Sequence, residues 1–436
     1  MNLRPCDTPL EKNRPVGNAN SVARQRTTTD CSECNIDVTL LTGGIDKHYM
    51  YGLSMALAER GVKLNVAGNT EMDVPELRAL SGLKVVNLYG DSRQTLTLGS
   101  KLLRYLSVYI RLIRYTLTAR SGIFHILWNY KFQLFDRTLL LLYYKCLGKK
   151  VVFTAHNVNA AERDNCESVL NKLSLSVQYR LVDHIFVHTE KMKTELVSEY
   201  GVAPGKVSTI PFGIYNCVPN TVLTTAEAKS RLGLSSSEKT ILFFGRILPY
   251  KGLGYLVEAF RLLANRDNSY RLIIAGEPKK ESAQYWEEIR KTIQRERFGE
   301  QVIQKIKFIS DDDIEVYFKA ADALVLPYTL IFQSGVLFMA YSFGLPVIAT
   351  DVGSLRDYII EGETGYICQP CDAPDIASAI ETYFESNLFK TLDQRRSEIM
   401  SSSRACNSWD TVSIKICGVY AQLLTHGKAA MYQPAR

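Results

Sequence analysis

Short apolar segments alternate with longer segments of helical periodicity along the chain from residue 36 onward. The short segments are rich in Val, Ile, Leu and Phe, which is typical of strands buried on both faces of a parallel sheet. The longer segments repeat apolar residues every three or four positions, as surface helices do. The alternation stops in a Pro/Thr/Ser-rich stretch at 215–237 and then resumes. The pattern therefore predicts an α/β protein with two doubly wound parallel-sheet domains.

The individual elements follow from this pattern. Strands are predicted at 36–41, 62–66, 123–128, 150–154, 184–188, 206–210, 240–244, 271–275, 306–309, 323–326 and 346–349. Helices are predicted at 47–60, 100–118, 135–147, 191–200, 252–263, 282–298, 335–343, 372–384 and 409–424. Residues 1–35 are rich in Asn, Arg, Thr, Ser and Pro without periodicity, and we expect them to be a disordered tail.

Composition narrows the class of protein. A chain of 436 residues is too long for one ordinary core, and 46% hydrophobic with 22% charged residues fits a soluble globular protein. No segment approaches the about 18 apolar residues that would span a membrane, and the first residues lack the apolar core of a secretion signal. Ten cysteines in this context are expected to be reduced thiols in a cytoplasm. The pairs Cys31/Cys34 and Cys368/Cys371 have CxxC spacing without accompanying histidines, so zinc is the minor alternative.

The net charge of +7 is concentrated in one segment. Residues 101–150 contain ten Lys or Arg and one acid, Asp136, so this segment carries +9 and the rest of the chain −2. Helix 100–118 has an aliphatic and a partly aromatic stripe beside its arginines. One stripe would pack on the core, and the second is typical of helices that rest among anionic headgroups. A helix buried on two sides is the alternative, and nucleic acid is not expected because no recognition module accompanies the patch.

Glycines and polar residues follow several strands, at the sheet edge where open α/β proteins bind ligands. Gly43 and Gly44 would let the backbone approach a ligand, although a plain tight turn fits equally well. His156 stands just past strand 150–154 and is predicted to point into the ligand crevice, with a structural histidine as the alternative. Arg246 and Lys251 share a loop with glycines and could clasp a diphosphate, whereas isolated surface cations are the alternative.

The segment from Ala323 to Pro370 combines a strand, a polar loop and the start of a helix. Residues 333–335 open that helix, and the unpaired backbone N–H groups of its first turn predict an anion site. Gly344 is predicted to adopt a left-handed conformation at the end of the helix. Upstream, the acidic run 311–313 precedes another helix and is interpreted as capping, with metal binding as the minor alternative.

Taken together, the motifs resemble those of glycosyltransferase family 4, which has the GT-B fold of two Rossmann-like domains facing a cleft. The matching pieces are LTGGIDKHYMYGLSMALAERGV, HILW, TAHNV, IPFGI, GRILPYKG, IIAGE, AADALVLPY and GLPVIATDVGSLRDYIIEGETGYI. They cover nearly the whole chain from Ile36 onward. Several of these motifs are weak signals individually, but their order along the chain is specific for this family. The resemblance implies an acceptor-side domain at 36–218, a nucleotide-sugar domain at 219–405, and a helix within 406–436 that crosses back onto the first domain.

The resemblance also implies a retaining, metal-independent transfer from a nucleotide sugar. It assigns Arg246 and Lys251 to the donor diphosphate, Gly44 to a phosphate approached from the first domain, and His156 to the transferred sugar. Trp409 is expected to begin the returning helix. The remaining residues of the expected donor site are Gly276, Gln333, Ser334, Gly335 and Val336.

One part of the family pattern is absent from this chain. The family commonly carries two glutamates separated by seven residues, and Ile331 and Met339 occupy those positions. Neither side chain can accept a hydrogen bond as a carboxylate does. The loop at 333–336 instead resembles the exopolysaccharide transferases of this family.

The sequence therefore predicts a cytoplasmic glycosyltransferase that rests on the inner face of a membrane through helix 100–118. It would move a hexose from a UDP- or GDP-sugar to a lipid-linked or oligosaccharide acceptor, without a metal or other cofactor. The missing glutamates suggest a different class as the alternative, a pseudo-transferase that binds sugar nucleotide or partners in a polysaccharide assembly complex. A sugar-nucleotide epimerase on the same fold is a third hypothesis.

Overall fold

The structure is a computed structural model that describes residues 36–91, 98–163, 167–214, 218–296 and 298–429. The predicted tail at 1–35, with Cys31 and Cys34, lies outside the described residues. Two parallel sheets organise the described chain, one of seven strands and one of six. The predicted α/β class with two parallel-sheet domains is confirmed.

The first sheet has the strand order β3-β2-β1-β4-β5-β6-β7, and all its pairs are parallel. Its strands are β1 Asp37–Leu41, β2 Lys63–Gly68, β3 Leu83–Asn87, β4 Ile123–Ile126, β5 Lys150–Ala155, β6 His184–Val187 and β7 Val207–Thr209. The order reverses between β1 and β4, which opens a crevice at the carboxyl ends of the strands. Sequence analysis did not predict β3, because its residues are only half-buried and alternate with polar ones.

The second sheet has the order β10-β9-β8-β11-β12-β13 and is also entirely parallel. Its strands are β8 Lys239–Phe244, β9 Tyr270–Ala275, β10 Val302–Lys305, β11 Ala323–Leu326, β12 Val347–Thr350 and β13 Gly365–Cys368. The strand predicted at 306–309 is wrong, because the pairing with β9 uses the preceding residues and ends at Lys305 opposite Ala275. Apolar residues continue past that end, so the periodicity alone could not locate the register.

Helices connect the strands of both sheets. In the first half they are α1 Lys47–Glu59, α2 Pro75–Arg78, α3 Leu98–Thr118, α4 Gln133–Phe135, α5 Leu141–Cys146, α6 Ala160–Arg163, α7 Val169–Leu181 and α8 Glu190–Tyr200, with a π-helical turn at Asp136–Leu140 between α4 and α5. In the second half they are α9 Thr225–Arg231, α10 Leu253–Ala264, α11 Ala283–Arg295, α12 Asp311–Ala320, α13 Gly335–Ser342, α14 Ala373–Glu385, α15 Asn387–Lys390, α16 Leu392–Asn407 and α17 Trp409–Ala429. Short 3₁₀ turns lie at Thr70–Met72, Pro204–Lys206, Pro249–Lys251, Lys280–Ser282, Gly299–Gln301 and Arg356–Tyr358.

The stretch interpreted as a linker, 215–237, contains a helix. The side chain of Thr224 accepts from the backbone N–H of Glu227, and the Glu227 carboxylate accepts in return, which forms a capping box at the start of α9. Lys229 on this helix reaches the buried carboxylate of Asp322 at 3.0 Å, with both side chains less than a tenth exposed. This part of the stretch is therefore anchored in the second domain.

Helix α17 returns to the first domain. Its Trp409 indole lies so close to Gly52 of α1 and to Gly213 that a Cβ at either glycine would overlap the ring. The indole N–H donates to the carbonyl of Ile214 at 2.8 Å, and further along the helix the Tyr420 hydroxyl contacts Nδ1 of His125 on β4 at 2.6 Å. The end of the chain thus packs against the domain in which it began.

Helix α3 buries its partly aromatic stripe and exposes its aliphatic one. Val108, Tyr109 and Leu112 are buried against the first sheet, whereas Leu106 and Ile110 are about half exposed, at 47% and 57%. The alternative of a helix buried on two sides is therefore wrong. None of the described helices is both long enough and apolar enough to cross a bilayer.

Candidate functional site

Two histidines meet where the neighbouring strands β5 and β6 end. These strands pair in a register that sets Ala155 opposite Val187, and the next residues are His156 and His188. Because the strands are parallel, both side chains emerge at the same carboxyl edge. Nε2 of His188 lies 3.0 Å from Nδ1 of His156, so the two rings share a hydrogen bond. His188 was not among the predicted site residues, although its position at a strand end was the same signal that singled out His156.

Aromatic rings enclose the histidine pair. The His156 ring stacks on Trp128 at 4.1 Å with an interplanar angle of 4°, and Tyr49 contacts its face edge-on at 4.6 Å. This burial, together with the neighbouring His188, holds the pKa of His156 well below its usual range. Burial also lowers the pKa of His188 to about 4. Both rings are therefore neutral at neutral pH, and Nε2 of His156 is buried without a hydrogen-bond partner among the described residues.

The glycine turn after β1 lies beside this pair. Gly43 and Gly44 have φ of 59° and 72°, a left-handed conformation that glycine adopts without strain. A Cβ on Gly43 would meet the backbone carbonyl of Trp128 at 2.8 Å, so the turn packs directly on the residue that stacks on His156. The Gly44 N–H donates to the hydroxyl of Thr42 at 3.1 Å, which holds the turn against the end of β1.

A second loop, residues 245–252, carries the two predicted cations at the edge of the second sheet. Nζ of Lys251 lies 3.0 Å from where a Cβ on Gly245 would stand, and the Lys251 side chain is buried. A Cβ on Gly276 would meet the carbonyl of Gly245 at 2.0 Å. The absence of a side chain at Gly276 therefore allows the start of the loop to pack against it. Arg246 is exposed at the start of the loop.

The predicted anion-binding turn lies next to Lys251. The Lys251 ammonium sits 5.6 Å from the centre of the Tyr328 ring, and the Tyr328 hydroxyl contacts Oγ of Ser334 at 3.2 Å. Ser334 precedes α13, and Gly335 and Val336 form its first turn, where backbone N–H groups lack partners within the helix. At the other end of the helix Gly344 has a φ of 65°, which confirms the predicted left-handed residue.

Ile331 and Met339, which stand where the family commonly has glutamates, are both buried. Their side chains are 8% and 5% exposed and belong to the apolar core. The loop around Ile331 also packs tightly on the backbone of Gly353, where a Cβ would meet the Ile331 carbonyl at 1.8 Å. Apolar contacts therefore fill both positions.

Two direct contacts join the halves of the site across the cleft. The rings of Phe212 and Phe338, one from each domain, stack at 5.3 Å. The Tyr358 hydroxyl accepts from Nε2 of Gln333 at 2.9 Å and donates to the backbone carbonyl of His188 at 3.4 Å. The structure thus connects the loop at 333–336 with the histidine pair, a link that no local sequence pattern indicated.

Two groups of described residues were candidates for metal binding in the sequence, the acidic run 311–313 and the pair Cys368 and Cys371. Asp311, Asp312 and Asp313 form the first turn of α12, where negative charge complements the helix dipole. Their predicted capping role is wrong, because the N-cap residue is Ser310 and its side chain makes no capping hydrogen bond. Cys368 is buried and Cys371 exposed, and both are free thiols. Within the described ranges no three His, Cys, Asp or Glu side chains cluster as a metal site would require.

The chain is similar to known proteins along most of its length. The model for Glycosyltransferase Family 4 matches residues 43–215, and the model for Glycosyl transferases group 1 matches residues 224–399. Among curated proteins, D-inositol 3-phosphate glycosyltransferase of Corynebacterium efficiens is 26% identical over 288 residues, which is 63% of this chain. The match spans about two thirds of that relative, 66% of its length.

Solved structures share the overall fold. Sucrose-phosphate synthase from Thermosynechococcus elongatus superposes with a TM-score of 0.70 at 19% identity, over 90% of this chain and 100% of that one. HepE from Anabaena, solved in complex with UDP and glucose, superposes with a TM-score of 0.68 at 16% identity, over 89% of this chain and 100% of HepE. The fold is thus that of the GT-B glycosyltransferases. The two consecutive family matches show that the chain belongs to the glycosyltransferases of family 4.

Proposed function

We propose that the protein transfers a hexose from a UDP- or GDP-sugar to a lipid-linked or oligosaccharide acceptor, with retention of configuration and without a metal. The observation that carries this proposal is the buried Lys251 beside the first turn of α13, because a cation and unpaired backbone N–H groups together suit a diphosphate. Arg246, exposed on the same loop, would close on the diphosphate from the solvent side.

The histidine pair lies where the proposed donor site would bind the transferred hexose. Nε2 of His156 is a buried polar atom with no partner among the described residues, which suits contact with a hydroxyl of the transferred hexose. Gly44, in the turn beside Trp128, would bring backbone close to a phosphate. The roles of Gly276, Gln333, Ser334, Gly335 and Val336 in donor binding belong to the same proposal.

One solved relative favours the choice of donor, because HepE was solved in complex with UDP and glucose. The curated relatives are named for a different acceptor, an inositol 3-phosphate, so they support sugar transfer but not the acceptor proposed here. With Ile331 and Met339 buried, no carboxylate from these positions can bind the donor. Retention would then depend on stabilising the leaving diphosphate and on placing the acceptor. The resemblance of the loop at 333–336 to exopolysaccharide transferases supports an acceptor in polysaccharide or glycoconjugate synthesis.

A donor panel tests the proposal. The full chain is incubated with UDP- and GDP-hexoses, and release of UDP or GDP is followed with and without saccharide acceptors, while thermal shift reports binding. Slow donor hydrolysis without an acceptor is the expected result. Binding without hydrolysis or transfer would instead support the pseudo-transferase, which the burial of Ile331 and Met339 favours. Conversion of one sugar nucleotide into another would identify an epimerase.

Contact with an anionic membrane is the second part of the proposal. Helix α3, the segment from α4 through the π-helical turn to α5, and helix α7 adjoin one another, as the hydrogen bonds from Tyr143 to the Ile113 carbonyl and from Arg137 in the π-helical turn to Asn171 show. Their outer surface exposes many aliphatic side chains. These are Leu102, Leu103, Leu106, Ile110, Leu117, Leu134, Leu139, Leu142, Val169, Leu170 and Leu173.

The charge around this apolar surface favours an anionic bilayer on the cytoplasmic side as its occupant. The segment 101–150 carries +9, and each Lys or Arg near an anionic surface contributes about 1 kcal/mol of attraction. Helices that lie in the interface combine exposed apolar side chains with Lys and Arg, and α3 carries the exposed Lys101 and Arg114 together with its exposed leucines. The acceptor, if lipid-linked, would then reach the cleft from the membrane on which the first domain rests.

Vesicle flotation tests this contact with the full chain. Recovery with anionic vesicles is expected to exceed recovery with neutral ones, and Leu103→Glu or Leu170→Glu should reduce it several-fold. Val222→Glu is the matched control, because Val222 is 96% exposed and lies in the second half of the chain. Equal recovery with neutral and anionic vesicles would refute membrane contact and leave the donor chemistry untouched.

A further inference from the structure

Two arginines of α3, Arg104 and Arg111, lie away from the exposed aliphatic side of that helix. They are seven residues apart and therefore project from the same side, and Val108 between them is buried against the first sheet. Both arginines are partly buried, whereas Lys101 and Arg114 of the same helix are exposed. Arg104 and Arg111 are thus not the cations of α3 that would face a bilayer.

The guanidinium groups of both arginines lie over the turn that follows β3. Nη1 of Arg104 donates to the Asp91 carbonyl at 3.0 Å, and Nη2 of Arg111 lies 3.8 Å from where a Cβ on Gly90 would stand. Arg111 also donates to the backbone carbonyl and the hydroxyl of Ser107 in its own helix, at 3.3 and 3.5 Å. Nε of Arg104 is buried without a partner among the described residues. Buried donors are ordinarily paired, so this nitrogen suits an acceptor oxygen of a ligand.

Positive charge is in excess around this turn. The sequence from 88 to 111 contains four Lys or Arg and one acid, Asp91, which can balance one of these charges. Asp136, on the π-helical turn, is buried and accepts from the backbone N–H of Tyr130 at 2.8 Å. Two guanidinium forks over one turn, in excess over carboxylates, suit the oxygens of a phosphate group.

Two tyrosines connect the arginines with the glycine turn after β1. Burial raises the pKa of Tyr130, and the charges of both arginines oppose that rise because they lie nearby. The Tyr130 ring contacts the Tyr89 ring at 5.1 Å, and Cβ of Tyr89 lies 3.6 Å from where a Cβ on Gly44 would stand. The arginine pair therefore lies near the proposed donor site, on the domain that is expected to hold the acceptor.

We propose that Arg104 and Arg111 form a subsite for a phosphate group of the acceptor, the phosphate that joins the acceptor sugar to its lipid. The inference rests on the proposed transfer to a lipid-linked acceptor and names the group by which that acceptor is held. With its phosphate on the arginines, the acceptor would extend past Tyr130 and Tyr89 and bring a hydroxyl to the donor sugar. The headgroup of a membrane phospholipid carries the same chemistry, but the partial burial of both arginines favours the acceptor.

Paired variants of α3 separate this subsite from a general attraction to anions. Arg104→Gln/Arg111→Gln removes the two cations of the subsite. Lys101→Gln/Arg114→Gln is the matched control, because it removes the same charge from exposed positions of the same helix. Arg104→Lys/Arg111→Lys keeps both charges without the guanidinium fork, so it should retain part of the binding.

Calorimetric titration of the full chain with octyl phosphate and with octanol measures phosphate binding, with UDP or GDP present to fill the donor site. Octyl phosphate should bind the wild type more tightly than octanol does. Arg104→Gln/Arg111→Gln should weaken binding of octyl phosphate about tenfold or more, because it removes hydrogen bonds to a charged group. The control pair should change this affinity less than about threefold, and the Kd for UDP or GDP should change as little in every variant, which shows that the fold is intact. Equal affinities for octyl phosphate and octanol, or equal losses in the two Gln pairs, would overturn the proposal.

Vesicle flotation distinguishes the two sources of phosphate. On phosphatidylcholine vesicles that also contain phosphatidylglycerol, Arg104→Gln/Arg111→Gln should stay within about twofold of wild-type recovery, whereas Lys101→Gln/Arg114→Gln should recover less because its exposed charges are lost. A selective loss of flotation in Arg104→Gln/Arg111→Gln would assign the arginines to phospholipid headgroups and overturn the proposal. Absence of turnover with every sugar nucleotide would count against the proposed function instead, and the binding of octyl phosphate is measured independently of it.

Discussion

At the scale of single residues, Lys251 is the side chain on which the proposed chemistry depends most. It is buried at a sheet edge, over the Tyr328 ring and beside the first turn of α13. A charge held in a site that excludes water interacts more strongly with a leaving group than it would in solvent. We therefore expect Lys251 to stabilise the charge that grows on the diphosphate as the sugar leaves.

Replacing this lysine tests that role. Lys251→Ala should lower turnover by about a hundredfold or more, since loss of one preorganised charge or donor costs a few kcal/mol of transition-state stabilisation. Initial rates of UDP or GDP release measure the effect. Lys279→Ala, at an exposed lysine in the loop after β9, should remain close to wild type. Near-normal turnover of Lys251→Ala would remove the lysine from the mechanism.

Glycine positions around Lys251 show how tightly the loop packs on its neighbours. Gly252 has a φ of 68°, and a Cβ there would meet the carbonyl of Pro327 at 1.8 Å. An alanine would have to move the backbone that carries Lys251 as well as adopt a conformation strained for a residue with a side chain.

Gly252→Ala should therefore reduce both stability and donor binding. We expect a loss of about 1–3 kcal/mol in the free energy of unfolding, together with weaker binding of UDP or GDP by titration calorimetry. Gly205→Ala is the control, because a Cβ at that position meets nothing within 4 Å. If both variants behave alike, the close packing of the loop at 245–252 is not what supports the site.

At the scale of elements, helix α9 shows how a segment with loop-like composition can be part of a core. Lys229 and Asp322 form an ion pair that is almost fully buried, and Asp322 also accepts from the backbone N–H of Thr240 at 2.7 Å. The pair joins α9 to the strands β8 and β11. An intact buried ion pair contributes little net stability, because the desolvation of both charges offsets their attraction. Removal of one partner is strongly destabilising, because it leaves the other charge buried without compensation.

Lys229→Met should accordingly destabilise the second domain strongly. The expected loss is about 3–5 kcal/mol in the free energy of unfolding, measured by urea denaturation. Arg231→Met changes an exposed cation on the same helix and should stay within about 0.5 kcal/mol of wild type. A small effect of Lys229→Met would mean that α9 is not anchored through this pair.

At the scale of the whole molecule, charged contacts supplement the aromatic ones between the domains. Asp311 at the start of α12 lies 3.1 Å from Nε2 of His48 and 3.4 Å from Nζ of Lys47, both on α1. The hydrogen bond from His48 is the main reason that the pKa of Asp311 lies below its usual value. A lowered pKa means that the contact stabilises the folded state when Asp311 is ionised.

Because the pKa of Asp311 is lowered in the folded protein, the stability that this contact contributes should depend on pH. Asp311→Asn should lower stability by about 0.5–1 kcal/mol at pH 7, since the carboxylate is partly exposed. The difference from wild type should persist at pH 5 and shrink as the pH falls below about 4, the ordinary pKa of an aspartate, towards the lower pKa that Asp311 has in the folded protein. Thermal denaturation at several pH values measures it. Asp312→Asn, at the exposed neighbouring acid, should show no such difference, and a loss that is the same at all pH values would contradict the ion pair.

Much of the fold followed from local pattern, and the failures have physical causes. The strand at 306–309 was placed too late because apolar residues continue beyond the edge at which β10 stops pairing with β9. Helix α7 was not predicted because Val169, Leu170 and Leu173 are exposed and obscure its amphipathic spacing. The capping box of Thr224 and Glu227 was a readable signal for α9 that the composition of its surroundings hid.

Local periodicity and the order of motifs determined the α/β class, the two sheets, the family and the loops that carry Lys251 and His156. Only the tertiary structure decided that His156 meets His188, that Phe212 stacks on Phe338, and that the aliphatic rather than the aromatic side of α3 faces outward. The physical reason is that strand ends and helix faces are local properties of a sequence. Contacts between distant residues depend instead on strand register and on how the two domains pack, which no single segment encodes.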